Sequence, residues 1–318
     1  MKSDFLRLRD WSAADLDAIL ALTRELKNQQ KRGISHPLLA GKSLAMVFEK
    51  SSTRTRISFE TGMFQLGGHA IFLSSANTQI GRGEPIRDTA RVLSRYVDAI
   101  MIRTYAQADI EELAHYADVP VINALTDLYH PCQIMADLFT VLEHKGSYRE
   151  QTYCWIGDGN NMAHSWINAA AIFGFELRIA TPKGYEPDSA VMEWAAQQGA
   201  NILYTNDPLE AAYNADVLNT DVWASMGQEE EQVQRQRDFK GFQINAGTVA
   251  AAAPQSLVLH CLPAHRGEEI TDDVIEGPHS VVFDEAENRL HVQKAIMVTL
   301  MQNSKPDAKN PRNKPACS

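Results

Sequence analysis

The chain has no apolar run approaching the roughly 20 residues that a membrane-spanning helix needs. Its start, Met1 to Asp15, shows no apolar segment of a secretory signal, so a cytoplasmic protein is expected. Cysteine is scarce. Cys132, Cys154, Cys261 and Cys317 lack the paired spacing of a disulfide framework or a zinc site and read as reduced thiols. Positive charge is in deficit: 30 Lys and Arg against 40 Asp and Glu leave a net charge of −10, which argues against non-specific nucleic-acid binding. No internal repeat of solenoid period occurs. What is abundant is apolar content, 44% over 318 residues, enough for two domains with full cores.

Strand-like and helix-like patterns alternate along the whole length. The first half reads as a helix at Asp15–Asn28, a strand at Leu44–Phe48, a helix from Ile57 to Leu66 and a strand at Ala70–Leu73. A helix at Ile86–Tyr96, a strand at Ala99–Ile102, a helix at Ile110–Ala117, a strand at Val119–Ile122 and a helix at Cys132–His144 follow. The second half restarts with strands at Tyr153–Ile156, Leu177–Ala180, Asn201–Tyr204, Val217–Asn219 and Leu257–His260. Its helices lie at Met162–Phe173, Ser189–Gln198 and Ala286–Met301. The fold class is α/β: two doubly wound domains, each with a central parallel sheet, and an active site in the cleft between them. The Lys-, Asn- and Pro-rich residues 303–318 form a disordered tail.

Polar clusters fall where strands end. Ser52-Thr53-Arg54-Thr55-Arg56 lies between a strand and a helix. A hydroxyl there is an ordinary cap. Two arginines in a first turn oppose the helix dipole, and a bound phosphate or other compact oxyanion removes that conflict. Arg103 closes a second strand, and His130-Pro131-Cys132-Gln133 follows a third. In open α/β sheets ligands bind outside the carboxyl ends of strands, so these clusters converge on one cleft.

The second half adds Gly157-Asp158-Gly159-Asn160-Asn161-Met162. Met162 replaces the third glycine of a dinucleotide fingerprint, and the next strand ends in Thr181-Pro182 rather than an acid, so a nicotinamide site is not expected. A tight turn accounts for the glycines, and Asn160 and Asn161 remain available to a ligand. Asp221 ends a strand, where its carboxylate suits a substrate amine, and Gly227 suits the hinge of a lid. The glutamates at 229–231 read as a solvated helix start. His260-Cys261-Leu262-Pro263 stays ambiguous: a strand-end cysteine serves as a small hydrophobe, a nucleophile, a base or a metal ligand. His130 and Arg103 are suitable types for polarising a carbonyl.

The motifs Ser52-Thr53-Arg54-Thr55-Arg56, His130-Pro131-x-Gln133, Asp221-x-x-x-Ser225-Met226-Gly227 and His260-Cys261-Leu262-Pro263 together resemble the aspartate/ornithine carbamoyltransferase family, in order, from about Phe5 to Met301. The last two are similar to the ornithine-using branch. The aspartate branch places a lysine in the loop that here reads Asn77-Thr78-Gln79-Ile80, and no lysine lies between Lys50 and Lys145. The resemblance implies transfer of the carbamoyl group of carbamoyl phosphate to L-ornithine, giving L-citrulline and phosphate, as a step of arginine biosynthesis. It implies a carbamoyl phosphate domain at 1–145, an ornithine domain at 146–285, and a final helix, 286–302, packed back on the first.

Residue by residue, the resemblance implies that Ser52, Thr53, Arg54, Thr55 and Arg289 hold the phosphate, joined by Gln79 from a neighbouring subunit. Arg103 and His130 polarise the carbonyl, and Gln133 and the Leu262 carbonyl hold the carbamoyl NH₂. Asn161, Asp221, Ser225 and Met226 bind ornithine, with Asp221 and Cys261 beside the attacking amine. It implies a homotrimer or a multiple of trimers, no metal and no organic cofactor, and neither nucleic acid nor membrane as partner. Competing expectations are a different acceptor amine, a non-catalytic carbamoyl phosphate sensor and a nucleotide-dependent dehydrogenase.

Overall fold

The computed structural model describes residues 3–75, 83–224 and 231–303. Helix α1 (Ala13–Lys31) leads into four strands, β1 (Ser43–Phe48), β2 (His69–Ser74), β3 (Ala99–Arg103) and β4 (Val121–Leu125). Helices α2 (Thr53–Gln65), α3 (Ile86–Leu93) and α4 (Gln107–Tyr116) join them, and α5 (Pro131–Lys145) leaves this half. The second half begins with β5 (Thr152–Ile156), α6 (Asn161–Phe173), β6 (Glu176–Ala180), α7 (Ser189–Gln197), β7 (Ile202–Thr205), α8 (Pro208–Ala212) and β8 (Val217–Thr220). It continues through α9 (Gln232–Asp238), α10 (Ala246–Ala251), β9 (Leu257–His260), α11 (Asp272–Ile275) and the long α12 (Val282–Asn303).

Both sheets are parallel, in the orders β2-β1-β3-β4 and β7-β6-β5-β8-β9. The strands are apolar on both faces, as strands covered by helices on each side must be. The pleat sends Leu44, Met46 and Phe48 of β1 into one core, and Ala45 and Val47 into another with Ile100, Ile102 and Leu113. In β5, Tyr153 and Trp155 face one core and Cys154 and Ile156 the opposite one.

Chain direction across each sheet reverses once, between β1 and β3 and between β5 and β8. Crevices open at such points. Phe48 pairs with Arg103 at the first, and Trp155 with Asn219 at the second, two residues before Asp221. The halves share a core that runs from Leu16 of α1 through Met135 and Leu138 of α5 to Trp166 of α6. Helix α12 returns from the second half to pack on α5, α1 and α2.

Several boundaries differ from the periodicity. Helix α2 starts at Thr53, not Ile57, because Ser52 caps it by accepting from the Thr55 N–H, so both arginines lie in its first turn. Helix α3 stops at Leu93, where Ser94 Oγ donates to the Ala90 carbonyl and accepts from the Asp118 N–H. Strand β4 begins after Pro120, which has no N–H to donate. Helix α12 starts four residues before Ala286, at Val282. The short helices α8 to α11 carry too few residues to show a period. The tail at 304–318, Gln79 and the segment Ser225-Met226-Gly227 lie outside the described residues.

Candidate active site

The anion corner is built on the start of α2. Ser52 Oγ accepts from the Thr55 N–H at 3.3 Å and donates to Thr55 Oγ1 at 3.0 Å. Thr53 and Arg54 are exposed, whereas Thr55 is buried and accepts from Arg289 Nη2 at 3.2 Å. Arg289 comes from the second turn of α12, is 7% exposed, and also donates from Nη1 to Gln133 Oε1. Both acceptors are neutral. Burial and the neighbouring Arg54 push the Arg289 guanidinium below its ordinary value. Arg103, at the end of β3, is lowered to about 10 by burial, then by Arg289, with Arg54 adding to the effect. Three guanidiniums close to one another, two of them buried and lowered, suit a multiply charged anion.

The α5 start closes the corner. His130 is buried, its backbone N–H donates to Ser165 Oγ of α6 at 2.8 Å, and its ring Nδ1 has no hydrogen-bond partner among the described residues. Burial, Arg289 and Arg103 hold the imidazole well below its usual range, so it is neutral and keeps one N–H to donate. Gln133 Nε2 donates at 2.7 Å to Asp137 Oδ1 and at 2.7 Å to Glu285 Oε1. Glu285 Oε2 accepts from the His260 N–H at 2.8 Å, which ties α12 to the end of β9.

In the second half, Cys261 Sγ donates to Asp221 Oδ1 at 3.2 Å, and the Val222 N–H donates to the same oxygen at 2.8 Å. Burial, then Asp221 and Glu285, push the Cys261 thiol well above its ordinary value, so it stays protonated. Burial also raises Asp221. His260 is fully buried. Its Nδ1 accepts from the Leu262 N–H at 2.9 Å, which places the ring proton on Nε2, where Glu269 Oε1 accepts it at 3.0 Å. Leu262 sits at φ 56°, a left-handed conformation costly for a branched side chain.

Asn160 is the cap of α6, accepting from the Met162 N–H at 2.9 Å, and so serves the turn. Asn161 donates to the Thr126 carbonyl at 2.6 Å, across to the first half. Gly159 is needed for close approach, since a Cβ there meets the Pro187 nitrogen at 2.3 Å. Asp158 forms a buried pair with Arg235 at 2.7 Å, and Arg235 also donates to the Trp223 carbonyl at 2.8 Å. Glu231, exposed at the start of α9, pairs with Arg235 at 3.0 Å.

Asp221, His260 and Cys261 approach one another closely enough to hold a cation. Both nitrogens of His260 are already engaged, which leaves that set a carboxylate and a protonated thiol. His265, Glu268 and Glu269 form a similar group, in which Glu269 Oε1 already accepts from His260 and from the His265 N–H.

The structure thus bonds Ser52, Thr55, Gln133 and Arg289 into one network and sets Arg54, Arg103, His130, Asp221 and Cys261 within electrostatic reach of it. Reading motifs missed Asp137, Glu285 and Glu269. Gln133 with Asp137 and Glu285 with Arg289 are each four apart on a helix, and that spacing was the available signal.

The family model described as aspartate/ornithine carbamoyltransferase, carbamoyl-P binding domain, matches residues 3–143. The one described as Asp/Orn binding domain of the same family matches residues 149–300. An ornithine carbamoyltransferase of Syntrophotalea carbinolica is 69% identical over 95% of this chain and 100% of its own length. The Pyrococcus furiosus ornithine carbamoyltransferase structure superposes with a TM-score of 0.92 at 52% identity, covering 96% of this chain and 98% of that one. The structure of the anabolic ornithine carbamoyltransferase of Campylobacter jejuni gives 0.90 at 43% identity, over 96% and 100%. With both halves matched and the motif residues gathered at the strand ends, the chain belongs to the aspartate/ornithine carbamoyltransferase family.

Proposed function

We propose that the protein transfers the carbamoyl group of carbamoyl phosphate to the side-chain amine of L-ornithine, giving L-citrulline and phosphate. The observation that carries this reading is the corner of Arg54, Arg103 and Arg289, in which Arg289 bonds to the neutral oxygens of Thr55 and Gln133. It suits a phosphate group whose charge grows as the carbamoyl bond breaks. Residues 1–145 with the final helix, 286–302, hold carbamoyl phosphate, and residues 146–285 hold ornithine. The two separate sheets and the packing of α12 on α1, α2 and α5 support that division.

Ser52, Thr53, Arg54, Thr55 and Arg289 cradle the phosphate, with Gln79 added by a neighbouring subunit. Arg103 and neutral His130 donate to the carbamoyl oxygen as it becomes an oxyanion; one such donor contributes about 10²–10³ in rate. Gln133 Oε1 and the Leu262 carbonyl accept from the carbamoyl NH₂. Asn161, Ser225 and Met226 hold ornithine, and Asp221 faces its amine. That amine, with a solution pKa of roughly 10.4, must lose a proton before it attacks. Cys261 keeps its proton and serves as a neutral donor to Asp221, not as a nucleophile. The arginine corner and His130 offer the charge stabilisation that a Lewis acid gives elsewhere, so the reaction is proposed without a metal or an organic cofactor.

The direction is toward citrulline, as in arginine biosynthesis, in keeping with the anabolic Campylobacter relative. Free thiols at Cys132, Cys154 and Cys261 fit a cytoplasmic setting. Ile57, Phe64, Val92 and Tyr96, large apolar side chains exposed in the first half, fit subunit contacts in a homotrimer. Initial rates with ornithine, putrescine and N-acetylornithine test the acceptor. Ornithine is expected to be fastest, and faster turnover of putrescine overturns the choice.

A further inference from the structure

Asp137 and Glu285 lie beneath the anion corner, and the reaction proposed above assigns them no task. Both are buried against Gln133, which is itself buried. The Gln133 amide nitrogen has two hydrogens, and both are used, at 2.7 Å to Asp137 Oδ1 and at 2.7 Å to Glu285 Oε1. Its oxygen accepts from Arg289 Nη1. The reverse orientation would set that oxygen against two carboxyl oxygens and the amide N–H groups against a guanidinium, so only one orientation is hydrogen-bonded. Burial drives both carboxyls toward the protonated form, and Asp137 raises Glu285 further, while the bonds of Asp137 to Gln133 and Glu285 hold it back in part. One proton shared between them removes their repulsion and leaves an oxygen of each to accept from Gln133.

We infer, resting on the reaction proposed above, that Asp137 and Glu285 are positioning residues that consume both N–H donors of Gln133, so that Gln133 meets the substrate as an acceptor alone. Such a side chain takes the NH₂ of a carbamoyl group. A carboxylate oxygen at that place faces lone pair against lone pair, and a methyl leaves the buried acceptor unmatched. The pair therefore selects carbamoyl phosphate over acyl phosphates of the same shape. Glu285 extends the same control to the His260–Leu262 turn through its bond to the His260 N–H.

The test compares two phosphonates, phosphonoacetamide, which carries NH₂, and acetonylphosphonate, which carries methyl in its place. Wild type is expected to prefer the amide. In Asp137→Leu one Gln133 N–H loses its acceptor, the amide turns, and the preference is expected to fall about tenfold, the size expected for one buried unpaired group. Binding of the methyl analogue changes little. Asp137→Asn, which offers Oδ1 at the same position, restores the preference. A folded Asp137→Leu protein with the wild-type preference overturns the inference. Should that variant not fold, neutron diffraction from wild-type crystals decides: both Gln133 deuterons aimed at the carboxyls support the inference, and the nitrogen facing Arg289 overturns it. Wild type that binds neither analogue removes the proposed reaction and this inference with it.

Discussion

Arg54 and Cys261 carry opposite lessons about single side chains. Arg54 is exposed on the first turn of α2, so Arg54→Ala should leave stability within about 0.5 kcal/mol in urea unfolding. It should lower citrulline formation by at least about 10²–10³. A variant with normal turnover would mean that the phosphate binds elsewhere. Cys261 reads from sequence as a nucleophile, a base, a metal ligand or a small hydrophobe. The geometry favours a protonated thiol, because burial and then Asp221, which accepts from it, push it well above its ordinary value. Iodoacetamide at pH 8 should alkylate Cys261 at least about tenfold more slowly than free cysteine, as followed by mass spectrometry; rapid labelling would contradict a protonated thiol. Motif reading saw Arg54, Gln133 and Arg289 but not Asp137 or Glu285, because acidic residues are ordinarily assigned to solvent. Only tertiary packing puts these two in the interior.

Helix α12 shows how one element serves the site and the fold together. Its polar face holds Glu285 and Arg289 in the cleft, while Asn288 accepts from Lys27 at 2.7 Å and donates to Thr140 at 2.9 Å. His291, one turn on, is 2% exposed and is pushed down to about 3 by burial, then by Lys294 and Lys27, with Glu143 opposing and Lys31 adding. Between about 3 and 6.5 the unfolded chain takes up a proton that the folded state refuses. His291 therefore contributes full stability above that window and loses it as pH falls through it. The melting temperature of wild type should drop further from pH 7 to pH 5 than that of His291→Gln; equal drops would contradict the depressed imidazole. The turn after β5 gives a steric prediction. Gly159→Ala puts a methyl 2.4 Å from the Glu186 carbonyl carbon and should cost about 1–3 kcal/mol in urea unfolding. An unchanged midpoint would show that the 185–187 backbone yields. The amphipathic helix α1 and the short apolar runs of β1 and β9 were legible in the sequence. The first turn of α12 was not, since Asp284 and Glu285 interrupt its apolar period, and with it went the residues that join the helix to Gln133.

At the scale of the molecule, two parallel sheets with one reversal each bring strand ends that are far apart in sequence to one cleft. That convergence was legible from where polar clusters follow strands, because strand-end crevices are a property of the α/β architecture. The bonds between the halves were not legible: His130 to Ser165 and Asn161 to Thr126 depend on how the halves are seated, and Glu285 to His260 on how α12 lies against β9. The exposed apolar side chains of α2, with Phe64 80% exposed, fit the subunit contacts proposed above. Sedimentation at micromolar concentration should give at least a trimer, and a fully active monomer would contradict the shared site. The reaction itself is tested by following citrulline and phosphate together when wild-type protein is mixed with carbamoyl phosphate and L-ornithine. Equal amounts of the two products, formed at matching rates and absent without ornithine, are expected. Phosphate released without citrulline would contradict transfer between the two halves of the cleft.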